Sequence, residues 1–517
     1  MLRSSIAIAL ALLIWPATAQ AGEDASALFE THCAACHGEQ RLGGTGPALI
    51  PESLARIKPD AVIKTIAEGR PATKMPGFGE VLAEDDIAAL AKLVLTPLAV
   101  APVWGESEIA ASRTVFDTAP PVDKPQFTAD PLNLFVVVEA GDHHATILDG
   151  GSFTPITRFE TRFALHGGPK FTPDGRYVFF MARDGWVTKF DIWGLKSVAE
   201  VRAGINSRNI AMSRDGKHLA VANYLPHSLV ILSTETLEVE KILDVKDKDG
   251  QSSRVSAVYQ APQRDSFIAA LKDVPEIWEV STNPDAPPIY GFVHSYEKGM
   301  VEGLAESSGL FALRRIAVPE PLDDFFFDPD YRHLIGASRD GNKAYVVNLT
   351  VGRDIAVIDL PGMPHLGSGI SWKWNGRPVV ATPHLRDSAL SIIDMTDWKV
   401  IKTLKTDGPG FFMRSHDNSP YVWADVSGGK HRDRMHIIDK RTLEIVRTLT
   451  PEPGRAAAHV EFDRDGRHAL LSIAEKDGAL LVIDSTTFET VKRLPMSKPS
   501  GKYNVWNKIT FSSGTSH

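Results

Sequence analysis

The sequence predicts an α plus all-β protein of two units, with a small α-helical domain first and an eight-bladed β-propeller over residues 126–517. Three observations carry this. The clearest helical periodicity, in "LAEDDIAALAKLVL", falls before residue 97. After residue 125 the texture changes to short Val-, Ile-, Phe- and Tyr-rich stretches between turn residues. Within those stretches one unit recurs: a D-G type turn, a strand, a second turn, a strand ending in Ile-Asp, then T-x-E.

The helical unit is read from its start. Arg3, the apolar run Ile6 to Trp15 and Ala19-Gln20-Ala21 have the form of a secretory signal over residues 1–21, too short in its apolar part to span a membrane. Export to a bacterial periplasm is the expectation. Both cysteines of the chain lie in Cys33-Ala-Ala-Cys36-His37. Two thiols at this spacing with histidine next read as a covalent haem c site, the sulfurs adding to vinyl groups and the imidazole of His37 binding iron. A redox CxxC pair is the plainer alternative.

In the small cytochromes c, which this stretch resembles, a proline carbonyl lies near the haem histidine and a methionine opposes it. Gly46-Pro47-Ala48-Leu49 and Met75, in "RPATKMPGFG", match that layout. Ile87, Leu90, Ala91 and Val94 share one helical face behind an acidic first turn, as a closing helix requires. The cytochrome c domain is therefore set at residues 22–100, followed by a Pro-containing linker over 101–125.

The repeat turns fall at Asp174, Asp215, Asp265, Asp340, Asn375, Asp417 and Asp465, with an earlier unit around Asp130. Most intervals run from 35 to 50 residues. Strand repeats of this period indicate a propeller, and the count gives eight blades. Propellers bind ligands where loops converge at the mouth of the central channel. Lys plus Arg number 56 against 64 Asp plus Glu, a net charge of −8, which argues against nucleic acid as a partner.

A cytochrome c domain joined to an eight-bladed propeller resembles the haem d1 proteins, namely cytochrome cd1 nitrite reductase and the dihydro-haem d1 dehydrogenase of the NirN type. The stretches that carry the likeness are "FALHGGPKFTPDGRYVFFMARDG", "GMPHLGSG" and "SGKYNVWNKIT". The resemblance implies that His166 is the proximal ligand of the haem d1 iron and that His365 is the iron-facing histidine of the distal side. It further implies that Arg183 and Arg208 face the carboxylates of the tetrapyrrole, as guanidinium forks suit, with Tyr224 in the same wall.

Departures from the reductase pattern choose between the relatives. The reductase has two distal histidines; at the first of these positions stands Ile335, with His333 two residues earlier, and its pocket arginine is replaced by Ser368. Conversely, His459 stands where the reductase has an amide, and Tyr503 where it has phenylalanine. Both could also be ordinary blade packing. The gain of two proton-handling groups resembles the dehydrogenase, which oxidises a propionate of dihydro-haem d1 to an acrylate in the last step of haem d1 biosynthesis. His459 and Tyr503 are then the catalytic candidates, since removing two protons needs a base near the carbon.

Haem c and haem d1 or its dihydro form are the cofactor and substrate so implied. The partners are a periplasmic electron acceptor and a nitrite reductase receiving the finished haem d1. Nitrite reduction and non-catalytic carriage of haem d1 are the alternatives. His143 and His144 stay outside the site, because adjacent strand residues face opposite ways.

Overall fold

The computed structural model describes residues 24–55, 57–70, 75–290, 305–338 and 342–514. The signal segment 1–21 and the turn marker Asp340 lie outside these residues. The chain divides into two compact units, residues 1–99 and 100–517. No helix among the described residues is long and apolar enough to cross a membrane.

Among the described residues the first unit holds five helices: Ala25–His32, Ala34–His37, Pro51–Leu54, Pro59–Glu68 and Glu84–Val94. Proline at the first position and Gly69 at the end frame the fourth, Gly69 closing it with φ of 73°. In the last, Glu84, Asp85 and Asp86 complement the N-terminal dipole while Ile87, Leu90, Ala91 and Val94 are buried. They pack on Leu28, Phe29, Val62 and Ile66 in one core.

The second unit contains eight antiparallel four-stranded blades. Blade one takes its innermost strand, Pro499–Asn504, from the C-terminal end of the chain and pairs it with Leu134–Glu139, which closes the ring. The innermost strands of blades two to eight begin at Lys170, Asn206, Val255, Leu322, Ile370, Met413 and Ala457. Inner and second strands are covered on both faces by neighbouring blades and read as continuous apolar runs; Leu134–Glu139 is buried throughout. Outer strands alternate, as Arg353–Asp359 does. Each aliphatic side chain so buried contributes roughly 1.5–3 kcal/mol, and the contribution is made between blades rather than within one.

The turn after the innermost strand repeats a side-chain device. Thr172, Ser213, Asp328 and Asp463 each accept the backbone N–H five residues on, from Tyr177, His218, His333 and His468. Six of the sequence markers fall in these turns, and Asp130 caps the short helix before the second strand of blade one. In blade five that turn is Asp328–Arg332, ahead of the marker read at Asp340, which lies outside the described residues. A hairpin pairing Ile289–Tyr290 with Ala305–Ser307 also interrupts blade four, and together these produce the one wide interval. Within the stretch read as linker, helix Glu106–Ser112 buries Ile109 against blade two, and Thr114–Val115 adds a fifth strand there.

Candidate functional site

In the helical unit, Cys33 and Cys36 are free thiols at the cap and within the single helical turn Ala34–His37, and the His37 ring is buried. Its Nδ1–H donates to the Pro47 carbonyl at 2.7 Å, which leaves the Nε2 lone pair for a ligand. Gly46 lies so close to the ring that a Cβ there would stand 2.8 Å from Cε1. Burial lowers the His37 pKa, with the Pro47 bond opposing it, and burial followed by Cys36 raises that of the Cys33 thiol. Paired thiols, a fixed tautomer and a glycine wall against the imidazole fit a covalent haem c. Met75 is half-buried, its carbonyl accepting from Arg70 at 3.2 Å, and it follows residues 71–74, which lie outside the described range.

In the propeller, polar groups from every blade converge on the channel. Arg208, Asp324 and His459 stand in the first half of an inner strand, and His166 and His365 in the loop before one. His166 sits in such a loop, where Ala164, Gly167 and Gly168 all have positive φ. A Cβ on Gly167 would lie 2.6 Å from that of Asn209, and one on Gly168 would meet the Tyr503 ring at 3.1 Å, so only glycine lets this loop settle between blades one and three. His166 Nδ1–H donates to the Arg208 carbonyl at 2.7 Å, and its Nε2 lies 3.0 Å from the Arg183 guanidinium and 3.1 Å from that of Arg208. The lone pair of Nε2 is thus met by two guanidinium groups, which must give way for Nε2 to bind a metal. For Arg208, burial opposes its charge, yet Tyr224, Asp324, Tyr259 and Asp323 hold its pKa above the ordinary value. Tyr224 has Arg254 and Lys272 each 5.5 Å from its ring centre.

Across the channel, His365 Nδ1–H donates to the Phe411 carbonyl at 2.9 Å, and its Nε2 is 3.5 Å from Asp324 Oδ2. Asp324 also accepts from Tyr259 Oη at 2.9 Å and from the Gly367 N–H at 2.9 Å. His459 and Tyr503 meet edge to face, their ring centres 5.6 Å apart, with Phe412 4.6 Å from His459 on the other side. His459 is 2% exposed, sits in a strand bulge with φ of 49°, and has no hydrogen-bond partner on Nδ1. Its backbone is held at both ends: the N–H donates to Asp425 Oδ2 at 3.3 Å and the carbonyl accepts from Lys502. Burial, then Lys502, Arg414 and Lys508, hold the imidazole well below its usual pKa, so it is neutral. Burial pushes the Tyr503 phenol up to about 12.

Thus the structure brings His166 together with Arg183 and Arg208, and His459 with Tyr503, while His365 and His459 both pack on Phe412 and Tyr224 stands beside Arg254 and Lys272. Sequence reasoning missed Asp324, Asp425, Arg414, Lys502, Lys508 and Lys170. Of these, Lys502 and Lys170 carried a signal, one adjoining Tyr503 and the other four residues after His166. His333 lies away from the ring: Nδ1 binds Asp328 at 2.8 Å and Nε2 contacts the Asn348 amide at 3.1 Å, as the repeated turn requires. Ile335 is core. His144 Nδ1 donates to the Asp142 carbonyl at 2.9 Å, and the His143 ring packs on Phe163. A cavity of about 1240 Å³ lies beside the turns of blades five to seven, and no residue of the ring lines it.

Comparison with known proteins supplies the remaining observations. The family model described as "Cytochrome D1 heme domain" matches residues 129–292 and 305–508, and that described as "Cytochrome C oxidase, cbb3-type, subunit III" matches residues 20–94. The dihydro-heme d1 dehydrogenase of Pseudomonas aeruginosa is 52% identical over 99% of both chains. The nitrite reductase of Stutzerimonas stutzeri is 24% identical over 95% of this chain and 94% of its own. A solved structure described as "Dihydro-heme d1 dehydrogenase NirN in complex with DHE" aligns with a TM-score of 0.87 and 51% identity, covering 94% of this chain and 100% of that one. Identity of this extent, on a propeller whose channel carries His166 between two arginines and a haem c motif in the preceding unit, shows that the chain belongs to the cytochrome d1 haem-domain family and to its dihydro-haem d1 dehydrogenase type.

Proposed function

We propose that the protein binds dihydro-haem d1 in the propeller channel and oxidises one propionate side chain to an acrylate, in the periplasm. The observation that carries this reading is the contact between a neutral, buried His459 and Tyr503, both groups absent from the reductase pattern. His166 would bind the substrate iron through Nε2, while Arg183 and Arg208 pair with peripheral carboxylates. Two C–H bonds of the CH2–CH2 unit break and one carbon–carbon π bond forms. One proton goes to His459 and the other to solvent, while Tyr503 donates a hydrogen bond that orients the side chain. Cys33, Cys36, His37 and Met75 would hold haem c, which would supply one-electron transfer when bound. The two electrons would pass one at a time to a periplasmic one-electron acceptor, and a nitrite reductase would receive the finished haem d1.

Anaerobic incubation with dihydro-haem d1, followed by absorption spectroscopy and product mass, tests the proposal. A product lighter by two hydrogens, with haem c reduced in step, is the expected result. Unchanged dihydro-haem d1 would make the protein a carrier, and rapid nitrite-dependent oxidation of haem c would make it a reductase.

A further inference from the structure

Asp425 ends the second strand of blade seven, Tyr421–Asp425, and is 2% exposed. Its carboxylate accepts backbone N–H groups from two separate segments. Oδ1 accepts from Phe411 at 2.8 Å and from Phe412 at 2.9 Å, in the loop before the inner strand of the same blade. Oδ2 accepts from His459 at 3.3 Å, on the inner strand of blade eight. The Phe412 carbonyl in turn accepts from the Asp425 N–H at 3.1 Å, so loop and strand end are joined in both directions.

Each of these bonds leads to a histidine of the channel. The Phe411 carbonyl is the acceptor for His365 Nδ1–H, and the Phe411 and His365 ring centres are 4.4 Å apart. The Phe412 ring packs edge to face on His459. His459 is itself the residue skipped by the strand bulge: Ala458 pairs with Ser472 and Val460 with Leu471, which leaves the N–H between them outside the ladder. A buried N–H so released needs an acceptor, and a left-handed φ at a non-glycine residue persists only where its surroundings impose it. Asp425 supplies the acceptor from the neighbouring blade. One carboxylate thus ties His365, in the loop before the inner strand of blade six, to His459 in blade eight.

We infer that Asp425 is a positioning residue that fixes His459 relative to His365, and so holds the base at a set distance from the group that meets the centre of the substrate. This rests on the dehydrogenase reading. The side chain to be oxidised is attached at a fixed distance from the centre of a rigid macrocycle, so a base serving that side chain gains from being locked to the wall that faces the centre. Asp425 acts through the Phe411–Phe412 backbone on one side and the His459 backbone on the other.

The test uses the holo-protein with Asp425→Asn and Asp425→Ala, which separate the two arms. The amide oxygen of asparagine can still accept from Phe411 and Phe412, while its NH2 then meets the His459 N–H donor to donor; the flipped amide would oppose two donors instead of one. Asp425→Asn should therefore keep the affinity for dihydro-haem d1 and the haem d1 absorption spectrum, and lower saturated turnover about 10- to 100-fold. Asp425→Ala should change the spectrum as well as the turnover. In a His459→Ala background, Asp425→Asn should lower turnover no further, because it acts through His459. Wild-type turnover in Asp425→Asn, a multiplied loss in the double variant, or an unaltered spectrum in Asp425→Ala would overturn the assignment. Hydrogen exchange of the wild-type protein, resolved by mass spectrometry, gives a reading that needs neither turnover nor a folded variant: the amides of Phe411, Phe412 and His459 should exchange through one shared opening, and separate openings would break the link. If the wild-type protein leaves dihydro-haem d1 unoxidised, the dehydrogenase reading falls, while the spectral split between the two variants and the shared opening still decide the positioning role.

Discussion

The two candidate haem-handling regions solve one problem on opposite plans. Each holds a histidine whose Nδ1–H donates to a backbone carbonyl, which leaves Nε2 as the ligand atom. In the helical unit that carbonyl belongs to Pro47, 10 residues along the chain; in the propeller it belongs to Arg208, 42 residues along and in the next blade. The first site is one short segment folded against itself. The second is a ring in which no blade contributes more than a few side chains, so its geometry depends on closure of the whole propeller by Pro499–Asn504. Covalent capture suits the local plan, because the motif alone defines the site. Reversible binding of a substrate suits the distributed one, since opposite edges of a large macrocycle must be met from different blades.

The largest effect that would test this contrast is removal of both thiols. Cys33→Ala with Cys36→Ala should abolish covalent haem, read as haem-linked peroxidase activity on a denaturing gel, and abolish turnover with it. Absorbance titration should still show binding of haem d1, since the propeller forms a separate compact unit. Loss of that binding would show that the second site is not built by the propeller alone.

His459→Ala should lower turnover by about two to four orders of magnitude, the usual span for a general base, with substrate binding retained. His459→Gln should be equally poor, because an amide cannot take the proton. Wild-type rates in both variants would remove His459 from the chemistry. A third substitution sharpens the parallel between the two ligand histidines: His166→Ala should weaken haem d1 binding and change its spin state, leaving the haem c bands unchanged. An unaltered haem d1 spectrum would move the iron ligand elsewhere in the ring.

The smallest expected effect concerns Asp184, beside Arg183. Burial raises its pKa to about 6, against the pull of Arg202 and Arg162. With a folded pKa above the unfolded value, its contribution favours the folded state at low pH and is lost as pH rises from about 4 through about 6. Asp184→Asn should therefore be about 1–3 kcal/mol more stable than wild type at pH 7, with the advantage vanishing near pH 4. Denaturant melts at the two pH values measure it, and a pH-independent difference would contradict it.

What could be read from the chain follows the same division. Cys33, Cys36, His37 and Pro47 lie within one short stretch, so spacing alone defined their chemistry. The buried face of Glu84–Val94 and the eight-fold turn count were likewise legible, because periodicity and turn residues are local properties. His333 shows the limit: beside a substituted ligand position it drew attention, yet the repeated turn binds it to Asp328, as His468 binds Asp463.

The sequence by itself determined the two fold classes, the haem c motif and, through resemblance, the iron-facing and catalytic candidates. Only the tertiary structure decided that Asp425 and Lys502 fix the His459 backbone and that Asp324 faces His365. These groups stand on strands and loops tens of residues apart. Charge and burial are properties of the closed ring, and no interval along the chain encodes the distance across it.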